Sequence, residues 1–211
     1  MIEIEIFKNV GCLSYYIKGT NTLHREDGPA IEWSSGRKEW YKHGELHRED
    51  GPAIEASDGI NEWWLNGKRH RDNGPAIDKG NFTGSWFKNG DLHREDGPAV
   101  ISEVLKAWYL NGFLHREVGP AIERKDGRTE WYKHGKRHRE GGPAYEVSGG
   151  KKEWFLDGNL HREDGPAIDW ADGRVEWWLK GIYFETNETW FEALTEEQKE
   201  KALYSEYFIK G

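Results

Sequence analysis

The chain has 211 residues, and its 38 acidic side chains outnumber 30 basic ones for a formal charge of −8. That balance excludes a broadly basic surface of the kind that binds DNA, RNA or anionic membranes. One cysteine, Cys12, excludes an intrachain disulfide and points to a reducing compartment, read here as cytoplasmic. No run approaches the roughly 18 apolar residues of a membrane-spanning helix, and the opening lacks the basic start and continuous apolar stretch of a signal peptide.

In chain order, residues 1–12 come first. Ile2, Ile4 and Ile6 alternate with Glu3 and Glu5, which predicts an amphipathic capping strand. Residues 13–182 are organised by an internal repeat. The string His-Arg-x-x-Gly-Pro-Ala begins at His24, His47, His70, His93, His115, His138 and His161, at intervals of 23, 23, 23, 22, 23 and 23 residues, and it holds all seven prolines. In phase with it runs a second string, two aromatics followed by x-x-Gly, as in Trp63-Trp64-Leu65-Asn66-Gly67. Aromatic pairs favour strands, and Asn66-Gly67, Asn89-Gly90 and Asn111-Gly112 are hairpin turns. The chain then returns through His-Arg and Gly-Pro-Ala into a second strand, and Asp58-Gly59, Asp126-Gly127 and Asp172-Gly173 turn it again. The short 22-residue repeat loses its residue in this second turn, between Val100 and Lys106.

These elements predict an all-β fold: an elongated, single-layer, curled antiparallel β-meander of repeated hairpins, solenoid-like, on the order of 65–70 Å long at two strands per repeat. The segment 183–211 has no repeat signature and is expected to form a small helical cap. Thr195 to Gln198 is a capping box opening a helix through about Tyr207, and Trp190, Phe191, Leu194, Ala202 and Leu203 are placed to cover the last hairpin.

The run Glu130-Trp131-Tyr132-Lys133-His134-Gly135-Lys136-Arg137-His138 resembles the MORN repeat, a β-hairpin unit of the same period with Trp, turn Gly and His in similar positions. The resemblance spans roughly residues 12 to 182. The chain differs from that family in carrying Arg after His in all seven copies, in a Gly one residue late, as at Gly28, Gly51 and Gly74, and in the Pro-Ala that follows. The extra residue predicts a bulge or kink, and Pro removes a ladder donor there. The His-Arg-Glu-Asp-Gly-Pro-Ala form is similar to repeats in proteins of phages and large DNA viruses. The family resemblance implies an interaction scaffold; the viral one implies a host-cytoplasm accessory protein that captures or inhibits a host factor.

Two sets of residues are candidates for function. The first is the column His24, His47, His70, His93, His115, His138 and His161 with Arg25, Arg48, Arg71, Arg94, Arg116, Arg139 and Arg162. Equivalent histidines in adjacent repeats fall roughly 9.6 Å apart, too far to share a zinc whose ligands lie within about 4.2 Å of one another. The column is therefore read as a structural ladder, each His bonding a turn and each Arg pairing with an acid, and no metal or cofactor is expected. The second set is the aromatic pair. Trp40, Trp63, Trp86, Trp108, Trp131, Trp154 and Trp177 are uniform and read as core. Tyr41, Trp64, Phe87, Tyr109, Tyr132, Phe155 and Trp178 vary, point to the other face and are the expected partner-binding surface.

No nucleophile with a positioned base and no phosphate loop occurs. The expected function is therefore non-enzymatic binding of a protein partner, with no nucleic acid and no membrane. A small molecule, oligosaccharide or nucleotide on the aromatic face is one alternative. An enzyme built from His, Arg and an acid in one atypical repeat is the other.

Overall fold

A computed structural model describes residues 2–205 and 207. The fold is an antiparallel β-meander of repeated hairpins, with additional small hairpins and two short helices at the C-terminus. The chain divides into two compact units, Met1–Glu103 with Tyr109–Gly112, and Val104–Trp108 with Phe113–Gly211.

In the first unit the ladder runs Ile4–Asn9, Cys12–Ile17, Ile31–Trp33, Lys38–Glu39, Ile54–Glu55, Asn61–Glu62, Ile77–Asp78, Gly84–Ser85 and Val100–Ile101, each strand antiparallel to the one before. In the second unit it runs Leu105–Ala107, Ile122–Arg124, Thr129–Glu130, Tyr145–Glu146, Lys152–Glu153, Ile168–Asp169, Val175–Leu179 and Ile182–Phe184.

Most of these strands are two or three residues long, because each repeat breaks its own strand at the first aromatic. In the second repeat the Trp40 N–H donates to the Ala53 carbonyl, while the Trp40 carbonyl accepts from the His47 N–H. Residues 48–52 are thus squeezed out as a bend, an extreme form of the expected bulge. Beyond the break, Tyr41–Lys42 and Glu45–Leu46 form a separate tip hairpin around His43-Gly44. Both turn residues have positive φ, 51° and 84°, the combination that matches hairpin twist and favours Gly at the second position. Each repeat therefore has two seams to its neighbour, the main ladder and the tip.

The core is thin. Ala30, Ala53, Ala76 and Ala99 in the first unit, and Ala121, Ala144 and Ala167 in the second, are each fully buried. The Trp column is not the core, apart from Trp177, which packs against the buried C-terminal cluster. Trp40, Trp63, Trp86, Trp108, Trp131 and Trp154 are all half-buried. Two-residue strands leave too little facing surface to bury an indole, and an alanine methyl is what fits between them.

The N-terminal strand Ile4–Asn9 alternates as expected, yet every residue in it is exposed. The C-terminal segment forms two helices, α1 at Asn187–Glu192 and α2 at Glu196–Leu203. The Thr195–Gln198 capping box is present. α2 stops at Leu203 rather than near Tyr207, with Tyr204 as its C-cap. Trp190, Leu194 and Ala202 bury against Leu179 with Trp177, Phe184 and Phe191 around them, whereas Leu203 is 52% exposed and takes no part.

Candidate functional site: the clefts between successive bends

The bend is built around its arginine. Arg48 lies over the Trp40 ring with Cζ 4.0 Å from the centroid. Its Nε–H donates to Asp50 Oδ1 at 2.8 Å, and its Nη1 donates to the Pro52 carbonyl at 3.1 Å and to Glu55 Oε1 at 2.8 Å. One planar fork thereby closes the bend, satisfies the carbonyl of the proline and ties both to the next strand. Glycine is required at position 51 because a Cβ there would stand 2.9 Å from Arg48 Cζ.

The same stacking recurs in every repeat. Arg25 lies over Tyr15, and Arg71, Arg94, Arg116, Arg139 and Arg162 lie over Trp63, Trp86, Trp108, Trp131 and Trp154, at 3.6–4.2 Å. Desolvation works against the charge of Arg25 and Arg48, but the hydrogen bonds they donate to Asp27 and Glu32, and to Asp50 and Glu55, outweigh it and raise both pKa values. Asp27, Asp50 and Asp96 are correspondingly held below the usual carboxylate range by the arginine two residues earlier.

The histidine joins repeats. In the first unit the Nδ1 atoms of His24, His47, His70 and His93 accept the backbone N–H of His43, Asn66, Asn89 and Asn111, the first residue of the next tip turn, each at 3.1 Å. In the second, His115, His138 and His161 accept from His134, Asp157 and Lys180 at 3.1–3.2 Å. Accepting at Nδ1 matches the neutral tautomer with its proton on Nε2, except at His70 and His138, where Nδ1 also lies 3.0 and 2.9 Å from the Asn89 and Asp157 Oδ1 atoms, which accept only and call for a proton on Nδ1. The Nε2 proton faces the acid two residues on, as for His47 and Glu49 at 3.2 Å and His115 and Glu117 at 3.0 Å. In His24 the Glu26 oxygen is 3.7 Å away, too far for a hydrogen bond, and Nε2 is buried without a partner. Burial lowers the pKa of His24, with the His43 charge adding to it, and burial likewise lowers that of His161.

The second aromatic column is half-buried throughout, at Tyr41, Trp64, Phe87, Tyr109, Tyr132, Phe155 and Trp178. The polar edges of Tyr41, Trp64, Tyr132 and Trp178 are committed internally. The Tyr41 hydroxyl donates to Glu39 at 3.0 Å, and burial beside that carboxylate pushes its pKa up to about 12. The indole N–H groups of Trp64 and Trp178 donate to Glu62 and Glu176. Tyr132 donates to Glu130, and Arg137 spans Glu130 and Glu153 while lying 5.3 Å from the Phe155 centroid.

The concave space lies instead beside the first aromatic column. A cleft of about 670 Å³ separates the bends at 25–28 and 47–50, floored by Trp40 and walled by Lys42. Further clefts of about 730 and 630 Å³ follow over Trp63 and Trp86. In the second unit, clefts of about 370 and 960 Å³ lie over Trp131 and Trp154, the latter closed on one side by Lys201 and Tyr204 of the C-terminal cap. Phe87, Tyr132 and Phe155 reach these walls; Tyr41 and Trp64 line none of these clefts. The rims are exposed carboxylates, with Glu26, Asp27, Glu49 and Asp50 each at least 75% exposed. Sequence reasoning missed the clefts because they exist only once the bend has folded out of the strand.

Fold and site together define an all-β hairpin-repeat protein whose two units each carry aromatic-floored, charge-rimmed clefts between bends. No family model matches the chain, and no curated protein matches it.

Proposed function

We propose that the protein is a non-enzymatic, MORN-like binding scaffold that takes a protein partner along its clefts, the viral form of this reading being capture of a host factor. The observation that carries it is repetition of one accessible shape. The same Trp floor, Arg stack and charged rim recur from bend to bend, a layout suited to a partner that makes several modest contacts rather than to one reaction centre. Among the described residues no group of three metal-binding side chains occurs, and each cleft arginine is already tied to its own bend through the proline carbonyl.

The test places a photo-reactive amino acid at cleft positions Lys42 and Lys133 and, separately, at Tyr41 and Trp64 on the second column. Stoichiometric cross-links to a protein from the cleft positions support the reading. Cross-links from Tyr41 and Trp64 alone move the interface to the second aromatic column. Absence of a stoichiometric partner from either set removes the scaffold reading. A small-molecule reading draws on the larger cleft beside Lys201 and Tyr204; a metabolite that raises the melting temperature without any protein cross-link would favour it.

A further inference from the structure

The seven bends differ at one atom. In four repeats the arginine Nε–H is occupied by the carboxylate two residues on: Arg25 by Asp27, Arg48 by Asp50, Arg94 by Asp96 and Arg162 by Asp164, at 2.6–2.9 Å. In the repeats of Arg71, Arg116 and Arg139 that position holds Asn73, Val118 and Gly141. Arg116 keeps the Pro120 carbonyl and Glu123 through Nη1. Arg139 keeps the Pro143 carbonyl alone and makes no ion pair among the described residues. Neither Nε has a hydrogen-bond partner among the described residues. Both guanidinium groups are nonetheless held in place, 3.7 and 3.8 Å over Trp108 and Trp131.

These two bends are the walls of one cleft, the one floored by Trp131. Its lining carries Arg116, Lys133 and Arg139 against Glu117 and Glu140. The corresponding cleft over Trp40 carries Arg25, Lys42 and Arg48 against Glu26, Asp27, Glu49 and Asp50. Loss of the aspartates thus turns a net excess of one negative charge into an excess of one positive charge. It also exposes an apolar rim, since Val118 is 84% exposed.

We propose that the Trp131 cleft binds the side-chain carboxylates of an extended acidic peptide, each carboxylate taking at Arg116 or Arg139 the place that aspartate holds in the bends of Arg25, Arg48, Arg94 and Arg162. The internal aspartates show the geometry that such a group adopts. Successive bends are two ladder strands apart, roughly 9.6 Å. A polyproline II chain brings residues i and i+3 onto one side at about 9.3 Å, so acids with that spacing reach both arginines. Glu117 and Glu140 oppose the ligand, which makes binding modest and sensitive to salt. This proposal rests on the clefts being the partner-binding face.

The experiment follows the arginine Nε–H resonances of the full chain by NMR. The probe is a short proline-framed peptide with Glu at i and i+3, compared with its Gln counterpart and with inorganic phosphate. The Glu peptide is expected to shift Arg116 and Arg139 saturably, the Gln peptide not at all. Val118→Asp, alone and with Gly141→Asp, is expected to weaken binding roughly tenfold by supplying the carboxylate internally. Asp50→Ala is expected to create a new response at Arg48. No saturable shift at millimolar peptide, an unchanged response in Val118→Asp with Gly141→Asp, or a response to phosphate alone overturns the proposal. Cross-linking of a partner at the clefts that persists in the double variant overturns it while leaving the scaffold reading intact. Peptide binding at Arg139 without any cleft cross-link does the reverse.

Discussion

The main ladder and the tip seam join the same repeats by different chemistry. In the main ladder, strands such as Lys38–Glu39 and Ile54–Glu55 pair backbone to backbone over a buried alanine. At the tip, Arg25 N–H reaches the Tyr41 carbonyl and Gly44 N–H the Leu23 carbonyl, but the turn's own first N–H goes to a histidine ring. The ladder has no titratable group in its bonding. The tip has one in every repeat, and once a ring such as His24 or His161 is an imidazolium it offers no acceptor for that N–H. The two seams should therefore fail under different stresses: volume breaks the ladder, acid breaks the tip.

Acid is expected to have the largest effect, because the tip seams of His24 and His161 meet it at once. Burial lowers the folded-state pKa of His24 and His161 below the usual imidazole value of about 6.5. Their contribution is therefore fully present above about pH 6.5 and is lost as pH falls through the lowered folded values. A second loss begins below 3.8, where Asp27, Asp50 and Asp96 protonate and release their arginines. Thermal melts followed by circular dichroism should show the first loss between about pH 7 and pH 5. A melting temperature flat across that interval would erase the distinction between the seams.

Volume comes next. Ala76 is fully buried between strands of the first unit, and Ala76→Leu should cost about 1–3 kcal/mol by overpacking, independent of pH between neutrality and mild acid. Denaturant titration of the variant at both pH values tests the independence as well as the size. Arg48→Lys follows: an ammonium cannot hold Asp50, the Pro52 carbonyl and Glu55 while stacking on Trp40. A loss of about 1–2 kcal/mol is expected. A variant as stable as the parent would show that the bend closes without its fork.

The period, the turns and the strand identity were readable in the sequence because they are local: Asn66-Gly67 specifies positive φ on its own, and Thr195 with Gln198 specifies a helix start. The identity of the core was not. Trp looks like core by hydrophobicity, yet what is buried depends on strand length, and strand length is set by the hydrogen bonds that Trp40 makes with Ala53 and His47 across the bend. The regular His-Arg phase pointed to a structural part, but the bond itself crosses 19 residues to a turn in the next repeat, as from His47 to Asn66, and no local pattern encodes that pairing. The short α1 helix carries no repeat signal and announces itself only through its cap, Thr186 accepting from Thr189. The clefts depend on all of these at once.

The smallest expected effect isolates the tip from its histidine. Lys180 opens the last tip turn with φ 51°, followed by Gly181 at 80°, and its N–H donates to His161 Nδ1. A lysine gains nothing from that left-handed backbone, whereas asparagine tolerates it, as Asn66, Asn89 and Asn111 do in the same position. Lys180→Asn leaves the backbone donor and the His161 acceptor in place, relieves the turn strain and removes the lysine charge that adds to burial in lowering the His161 pKa. It should stabilise by about 0.5 kcal/mol at neutral pH and, by letting the His161 pKa rise, make the part of the acid loss that His161 carries smaller. A variant no more stable than the parent at neutral pH would show that the left-handed lysine carries no strain and that the strength of this tip lies in its histidine bond.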